Sequence, residues 1–411
     1  MLFCKWLLDN LRSDLMKFLA YLTFLLLLVF CMVGAGCGSI VASSDIRQSR
    51  IRLNDAIQYT TEKQILLALV QTRFVHGPSY LNISGINSQL KWDAGISGSW
   101  MSEGASGVTP SVSYSEQPTI TYVPLTGNQY VTQIMAPIRL KTLLLFLSAG
   151  WTVGDVFNVV VQRIGPESNG LLSNPQATGQ HSLNVTKFRR IMSILTALQL
   201  EDKLALSTLA GNQWPTTKWS LEGNKVTEYQ FQSSSQMPLA LNLSKSLMEP
   251  SDSDHEAFME LLSILQVKPD SLESSNDMYP DRVTLLLSSS AFPVPIPSLK
   301  IQTRSFHQML WYLSFAVDVP PMYEDKGWVY VLQNNDGSTQ DLDEVYSGIL
   351  DVKYSRDRPQ DSAIEIEYEG YWYYISKDDL ASKTTFVLLG QMVQMQAAPT
   401  NSMPDLTISA G

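Results

Sequence analysis

Cysteine is almost missing from this 411-residue chain: Cys4, Cys31 and Cys37 are the only three. Beyond Cys37 no thiol nucleophile, disulfide or cysteine-held metal can form. The rest must fold without cross-links. Basic runs are missing as well. Lys and Arg total 29 against 39 Asp and Glu, a net charge of −10. Phosphate binding needs clustered cations, so nucleic acid is excluded as a partner. Electrostatic docking on anionic lipid is excluded for the same reason.

Signature motifs are scarce too. His76, His181, His255 and His307 stand far apart, and His255-Glu256 lacks the second histidine of an H-E-x-x-H zinc site. Asn334-Asn335-Asp336-Gly337 imitates a calcium loop. Its frame puts Leu332 at the first ligand position and Asp343 where a bidentate Glu belongs, so the segment reads as a turn. No G-x-S-x-G elbow, no phosphate-binding glycine loop and no readable Ser-His-acid order occurs. Glu365, Glu367 and Glu369 raise a glycosidase pair, but their spacing of two puts them on one strand face, the usual pattern of a solvated face. Tyr368, Tyr371, Trp372, Tyr373 and Tyr374 could stack on a sugar or a peptide. Alternate members of a strand point opposite ways, so about half are expected in the core. No catalytic residue, cofactor or metal is nominated.

What the chain does have is a long apolar run near its start. Lys17 precedes Phe18 to Val33, interrupted only by Thr23, and Gly34-Ala35-Gly36-Cys37 follows. A charged start, an apolar centre and a small-residue end make a secretory signal. The run is about 16 residues, shorter than the roughly 20 that a spanning helix needs. Residues 1–15 include the acidic Asp9 and Asp14 and are long for a charged leader, so Met16 is the expected start. Removing residues 1–36 removes three cations and two acids. It leaves 375 residues at a net charge of about −11, enough for two or three domains.

The body divides by pattern. A polar tether, residues 37–45, leads into a helical region, 46–165, that contains a long β-hairpin at 79–125. From Ile86 to Trp100 the even positions are apolar or small, apart from Ser88, and the odd ones polar or small. After a Gly/Ser loop, Val108, Pro110, Val112 and Tyr114 resume the alternation. The helix–turn–helix outline over 141–163 reads as a packed helical hairpin, with Thr152 capping a helix that runs towards Arg163. The middle region, 166–300, mixes strands with helices over 185–200 and 256–266. Ser251-Asp252-Ser253-Asp254 suits the start of the latter. The C-terminal region, 301–397, predicts a helix over 305–317, strands over 328–332, 349–354 and 364–375, and a helix over 380–396. Residues 398–411 form a frayed tail. The fold class is α+β: mixed helices and antiparallel strands with one long β-hairpin.

Gly34-Ala35-Gly36-Cys37 resembles the lipobox of bacterial membrane lipoproteins, with Gly34 standing where that family prefers leucine. Gln64–Phe74, Gln117–Gly127, and Tyr368–Ile375 with Asp379–Lys383 together resemble uncharacterised bacterial lipoproteins. The resemblance implies a diacylated, N-acylated Cys37 as mature N-terminus. With Gly38 rather than Asp next, it implies the outer membrane, facing the periplasm. The expected partners are the membrane, through lipid on Cys37, and envelope proteins, with a homo-oligomer allowed. The reading is a lipid-anchored, non-enzymatic scaffold or assembly component. Its rivals are a subunit of an oligomeric outer-membrane pore or secretion complex using the 86–114 hairpin, and a periplasmic hydrolase.

Overall fold

The computed structural model describes residues 21–26, 51, 54–78, 81–99, 107–124, 127–170, 185–208, 221–222, 225–226, 239–274, 281–289, 298–333 and 338–396. Two units divide after Glu62. In the first, residues 21–26 and 54–62 are helical. Cys37 and the tether lie outside the described residues.

The second unit, Lys63–Gly411, holds the core. Its first helix, 63–73 (α1), buries Leu66, Leu69 and Val70 along one face. Strands β1 (Leu81–Ser99) and β2 (Gly107–Pro124) pair antiparallel as a separate two-stranded sheet. Helix α2 (Gly127–Tyr130) runs into a π turn, Val131–Met135, before α3 (Leu140–Ser148) and α4 (Val153–Val160). Thr152 caps α4 by accepting from the Asp155 amide at 3.1 Å. The next two orphan amides are met by a neighbouring helix: Val153 donates to Gln199 Oε1 at 2.7 Å and Gly154 to Thr196 Oγ1 at 2.9 Å.

The helix expected to run towards Arg163 stops at Val160 instead, and Val161–Ile164 form strand β3. The run Val159-Val160-Val161 is β-branched and tolerates either state. Tertiary pairing decides, since Ile164 and Arg163 find partners in Ile301 and Gln302.

The remaining elements are β4 (Glu167–Ser168), α5 (Thr186–Leu200), β5 (Leu204–Thr208), the small pair β6 (Leu221–Glu222) and β7 (Lys225–Val226), β8 (Leu239–Ser244), α6 (His255–Leu265), β9 (Glu273–Ser274), β10 (Arg282–Ser288) and β11 (Ser298–Thr303). The main sheet runs β4-β3-β11-β10-β8-β5, with β9 beside β10. Among the described strands of this sheet only β10 and β11 pair in parallel, and the class is α+β. Strand β8 lies deepest, with Leu239, Leu241 and Leu243 at 0 % exposure. Buried Asn242 is satisfied on both flanks. Its Nδ2 donates to Ser207 Oγ at 2.8 Å, and its Oδ1 accepts from Thr284 Oγ1 at 3.0 Å. Helix α5 packs on α4, α6 and β5. The acidic lead-in of α6 is spent elsewhere than on the helix end: Asp252, at 2.8 Å, and Asp254 both hold Lys203. That ammonium brings the Asp252 carboxyl down to about 2.

Helix α7 (Phe306–Ser314) opens with a capping box, Ser305 and Gln308 bonding each other's amides at 3.1 and 2.9 Å. Just before it, Arg304 is 1 % exposed. Its guanidinium donates to the carbonyls of Val159 (3.0 Å), Val161 (2.9 Å) and Asn169, and lies 3.8 Å from the Tyr312 ring centroid. Burial lowers it to about 10, so it stays charged at neutral pH. Gly170, at φ +85°, lets the chain pass against the Tyr312 ring.

The C-terminal elements are α8 (Pro321–Asp325), α9 (Leu342–Tyr346), β12 (Lys353–Ser355), β13 (Ser362–Tyr368), β14 (Tyr371–Ser376) and α10 (Leu380–Gln396). The three strands form an antiparallel sheet in the order β12-β14-β13. The strand expected over 328–332 is absent. The Trp328 amide donates to Tyr323 O at 2.9 Å, so that stretch closes α8 instead of pairing. The strand expected over 349–354 shrinks to β12, and Val352 only bridges Val317.

Candidate functional site

A cleft of about 710 Å³ opens between the end of α7, α9, β12 and the start of α10. Its floor carries a parallel bridge between two backbones: Asp318 N donates to Val352 O at 2.9 Å, and Val352 N to Ala316 O at 3.0 Å. Arg73, from the end of α1, backs the floor. Its guanidinium donates to Val317 O at 3.4 Å and Tyr330 O at 2.7 Å, lies 5.3 Å from the Phe315 ring, and is 3.8 Å from Glu324. Burial lowers its pKa, with Glu324 opposing.

The far wall is tied by the N-terminus of α10. Asp379 accepts from the Ser382 amide at 3.0 Å and from the Ser382 hydroxyl. That hydroxyl in turn accepts from Asp351 N at 2.8 Å. Ser382, 1 % exposed, both gives and takes a hydrogen bond and is no free nucleophile. The lining carries the carboxylates of Asp318, Glu324, Asp343, Asp351 and Asp379 against Arg73 and Lys353. Lys353 lies 3.5 Å from Asp351. The excess of negative charge favours a cationic group over an anion.

Asp318 sits at the mouth and stays solvent-accessible. The dense protein around it pushes its carboxyl up to about 6, and Asp351 and Asp343 push the same way, against Lys353 and Arg73. An ordinary aspartate titrates near 3.8. Between the two values the folded chain binds a proton that the unfolded chain has lost. Stability from this group is therefore whole below about pH 4 and is lost as pH rises to about 6. Asp318→Asn should gain in urea midpoint over the parent across that window and hold the gain above it. A difference independent of pH between 3.5 and 7.5 would remove the raised carboxyl.

The other sequence candidates are dispersed. His76 is exposed, with its Nδ1 sharing a hydrogen bond with the Tyr368 hydroxyl. His255 starts α6, its Nδ1 at 2.9 Å from Leu247 O. His307 is half-buried, and burial lowers its pKa. His181 and residues 334–337 lie outside the described residues. Among the described residues no three His, Cys, Asp or Glu side chains gather as a metal site.

The solvated-face reading of the three glutamates is corrected at Glu365, which is 5 % exposed. Burial pushes its carboxyl up, but bonds from Ser362 (2.7 Å) and Arg358 (2.5 and 2.8 Å) outweigh it and hold the pKa down. Glu367 is exposed, and Glu369 sits in the β13–β14 turn at φ +49°. Of the aromatic run only Tyr373 is fully buried, at 0 % exposure, and Tyr368, Tyr371, Trp372 and Tyr374 are half-buried, so fewer lie in the core than the expected half. Cations cover the outer rings: Lys326 lies 4.7 Å over Trp328, Arg356 5.9 Å over Tyr371 and Arg358 5.3 Å over Trp372. Those faces are already engaged, which disfavours them as a platform for a sugar ring.

Sequence reasoning missed the cleft. Arg73, Asp318 and Asp351 are joined only by tertiary packing, and no local spacing marks them. Asp378 or Asp379 was legible solely as the start of the helix over 380–396. Among the described residues no helix is long and apolar enough to cross a membrane. No protein-family model, no curated protein and no solved structure matches the chain.

Proposed function

We propose that this chain is a lipid-anchored cell-envelope protein, tethered through Cys37 at the periplasmic side of the outer membrane. Its α+β body acts as a non-enzymatic scaffold or assembly component. The observation that carries the reading is the sequence from Lys17 to Cys37: one cation, an apolar run too short to span, and Gly34-Ala35-Gly36 directly before a cysteine. Two acyl signals on one residue give a stable anchor where a single chain would not. The cleft suits holding better than turnover, because Ser382 and its partner Asp379 are committed to capping α10.

Intact-mass analysis and membrane fractionation of the parent and of Cys37→Ser test this. The parent should partition with membranes and begin at an acylated Cys37. The variant should be released or remain an uncleaved precursor. Identical mass and identical fractionation of the two would overturn the lipoprotein reading.

A further inference from the structure

The β1–β2 ribbon leaves two physical problems unsolved. At about 3.3 Å per residue it is roughly 60 Å long. Among the described residues neither strand pairs with any third strand. Both outer edges therefore carry a row of backbone groups without ladder partners, and a lone two-stranded ribbon is marginal in water.

The second problem is the register. Antiparallel partners share a face, and here the alternating sets of the two strands coincide. One face takes the pairs Ile86–Ile120, Ser88–Pro118, Leu90–Glu116, Trp92–Tyr114, Ala94–Val112, Ile96–Pro110 and Gly98–Val108, apolar but for Ser88 and Glu116. The other takes Asn87–Thr119, Gln89–Gln117, Lys91–Ser115, Asp93–Ser113, Gly95–Ser111 and Ser97–Thr109. A register shift between Ile83 and Gly85 keeps this in phase, since it pairs Ile83 with Tyr122, two residues from Ile120. The ribbon thus has one apolar and one polar set of register positions.

The distal part is the purest. From Trp92–Tyr114 to the last pair, Ser99–Gly107, the apolar face holds no polar residue, and the other face holds Asp, Ser, Thr and Gly alone. Those eight residues of β1 run about 26 Å along the strand, which at a barrel tilt of about 40° rises about 20 Å, most of the roughly 25 Å apolar band of a membrane β-barrel. The aromatic pair Trp92–Tyr114 marks one end of the band. Glu116, Pro118 and Pro124 all fall outside it on the same side.

In water the apolar register positions of a lone ribbon need a cover, and in lipid its edges need partners. Both are satisfied only when further ribbons add to the edges and the sheet closes. The chain itself supplies the complementary edge. β1 of one copy beside β2 of the next continues the antiparallel order, and repetition of that head-to-tail contact closes a ring. Pro110 withholds one donor per copy, while its carbonyl and the neighbouring residues remain to pair.

We propose that copies of this chain join through the outer edges of β1 and β2, and that the distal hairpins form a composite β-barrel in a lipid bilayer. The face carrying Trp92, Ala94, Ile96, Val108, Val112 and Tyr114 meets lipid, and the Ser/Thr/Asp93 face lines a wet lumen. This deepens the envelope reading by naming the partner, a second copy. It rests on that reading only for which membrane the chain reaches.

The test uses the full chain extracted in mild detergent. Light scattering and particle imaging give its mass, and carboxyfluorescein release from phosphatidylethanolamine–phosphatidylglycerol vesicles reads the barrel. Rings of several copies and dye release are expected. Ile96→Asp and Val112→Asp should each cut release at least tenfold, while Ser97→Asp keeps it within about twofold. An unchanged urea midpoint would show that the body stays folded. Monomers or dimers without release, membrane binding without rings, or equal loss in Ser97→Asp and Ile96→Asp would each overturn the proposal. Cys37→Ser separates the two readings: rings from that variant support the barrel whether or not the lipid anchor exists.

Discussion

Replacing Arg304 with methionine lowers the unfolding free energy of the second unit by about 3–5 kcal/mol. The side chain is 1 % exposed, and three carbonyls, of Val159, Val161 and Asn169, take their hydrogen bonds from it. Methionine fills most of the volume but donates nothing. Each carbonyl left buried without a donor costs about 1–3 kcal/mol, partly relieved by relaxation. The stacking on Tyr312 at 3.8 Å goes too. Arg304→Lys should recover less than half, since a point charge cannot span three separated acceptors as a guanidinium does. Urea unfolding followed by fluorescence measures both variants. A loss below about 1 kcal/mol for methionine would show that water replaces the guanidinium and that Arg304 does not hold the junction.

Gly170→Ala should cost about 2–5 kcal/mol, although it adds only one methyl group. The left-handed backbone there costs a non-glycine residue about 1–2 kcal/mol. The added Cβ would also stand 2.9 Å from Cε2 of Tyr312 and 3.3 Å from its Cδ2. Tyr312 cannot yield easily. Its ring is fully buried beneath Arg304, and its hydroxyl donates to Asn169 Oδ1 at 3.2 Å. Overpacking of that kind adds about 1–3 kcal/mol. Gly348→Ala is the control: φ is +71°, but nothing lies within 4 Å of its Cβ, so only the backbone part remains. Equal losses at the two positions would mean that the contact with Tyr312 is relieved. If the contact matters, Gly170→Ala in a Tyr312→Leu background should cost no more than Gly348→Ala, because the clashing ring is gone.

Arg304 and Gly170 show where reading the chain stops. Arginine beside an apolar helix looks like an ordinary surface cation. Its burial follows from β11, α4 and the Asn169 turn converging on one point, and those segments are far apart in sequence. The same holds for the cleft. Arg73 reaches Val317 and Tyr330, and Asp318 is raised by Asp351 and Asp343, through contacts that no spacing encodes. Glu365 was misread for a related reason. Period two tells which residues share a face, but Arg358 decides that this face can be covered.

Local chemistry was legible where it is local. Thr152, Ser305 and Asp379 begin helices because each side chain satisfies an amide two or three residues on, and that needs no partner from afar. Composition alone bounds thiol chemistry beyond Cys37, since no fold can supply a residue type that the chain lacks there. The switch from α4 to β3, the loss of the strand at 328–332 and the assembly of the acidic cleft belong to tertiary structure. A β-branched run such as Val159-Val160-Val161 is close to balanced between helix and strand. The free energy that tips it comes from pairing with Ile301 and Gln302, which the chain meets only once it is folded.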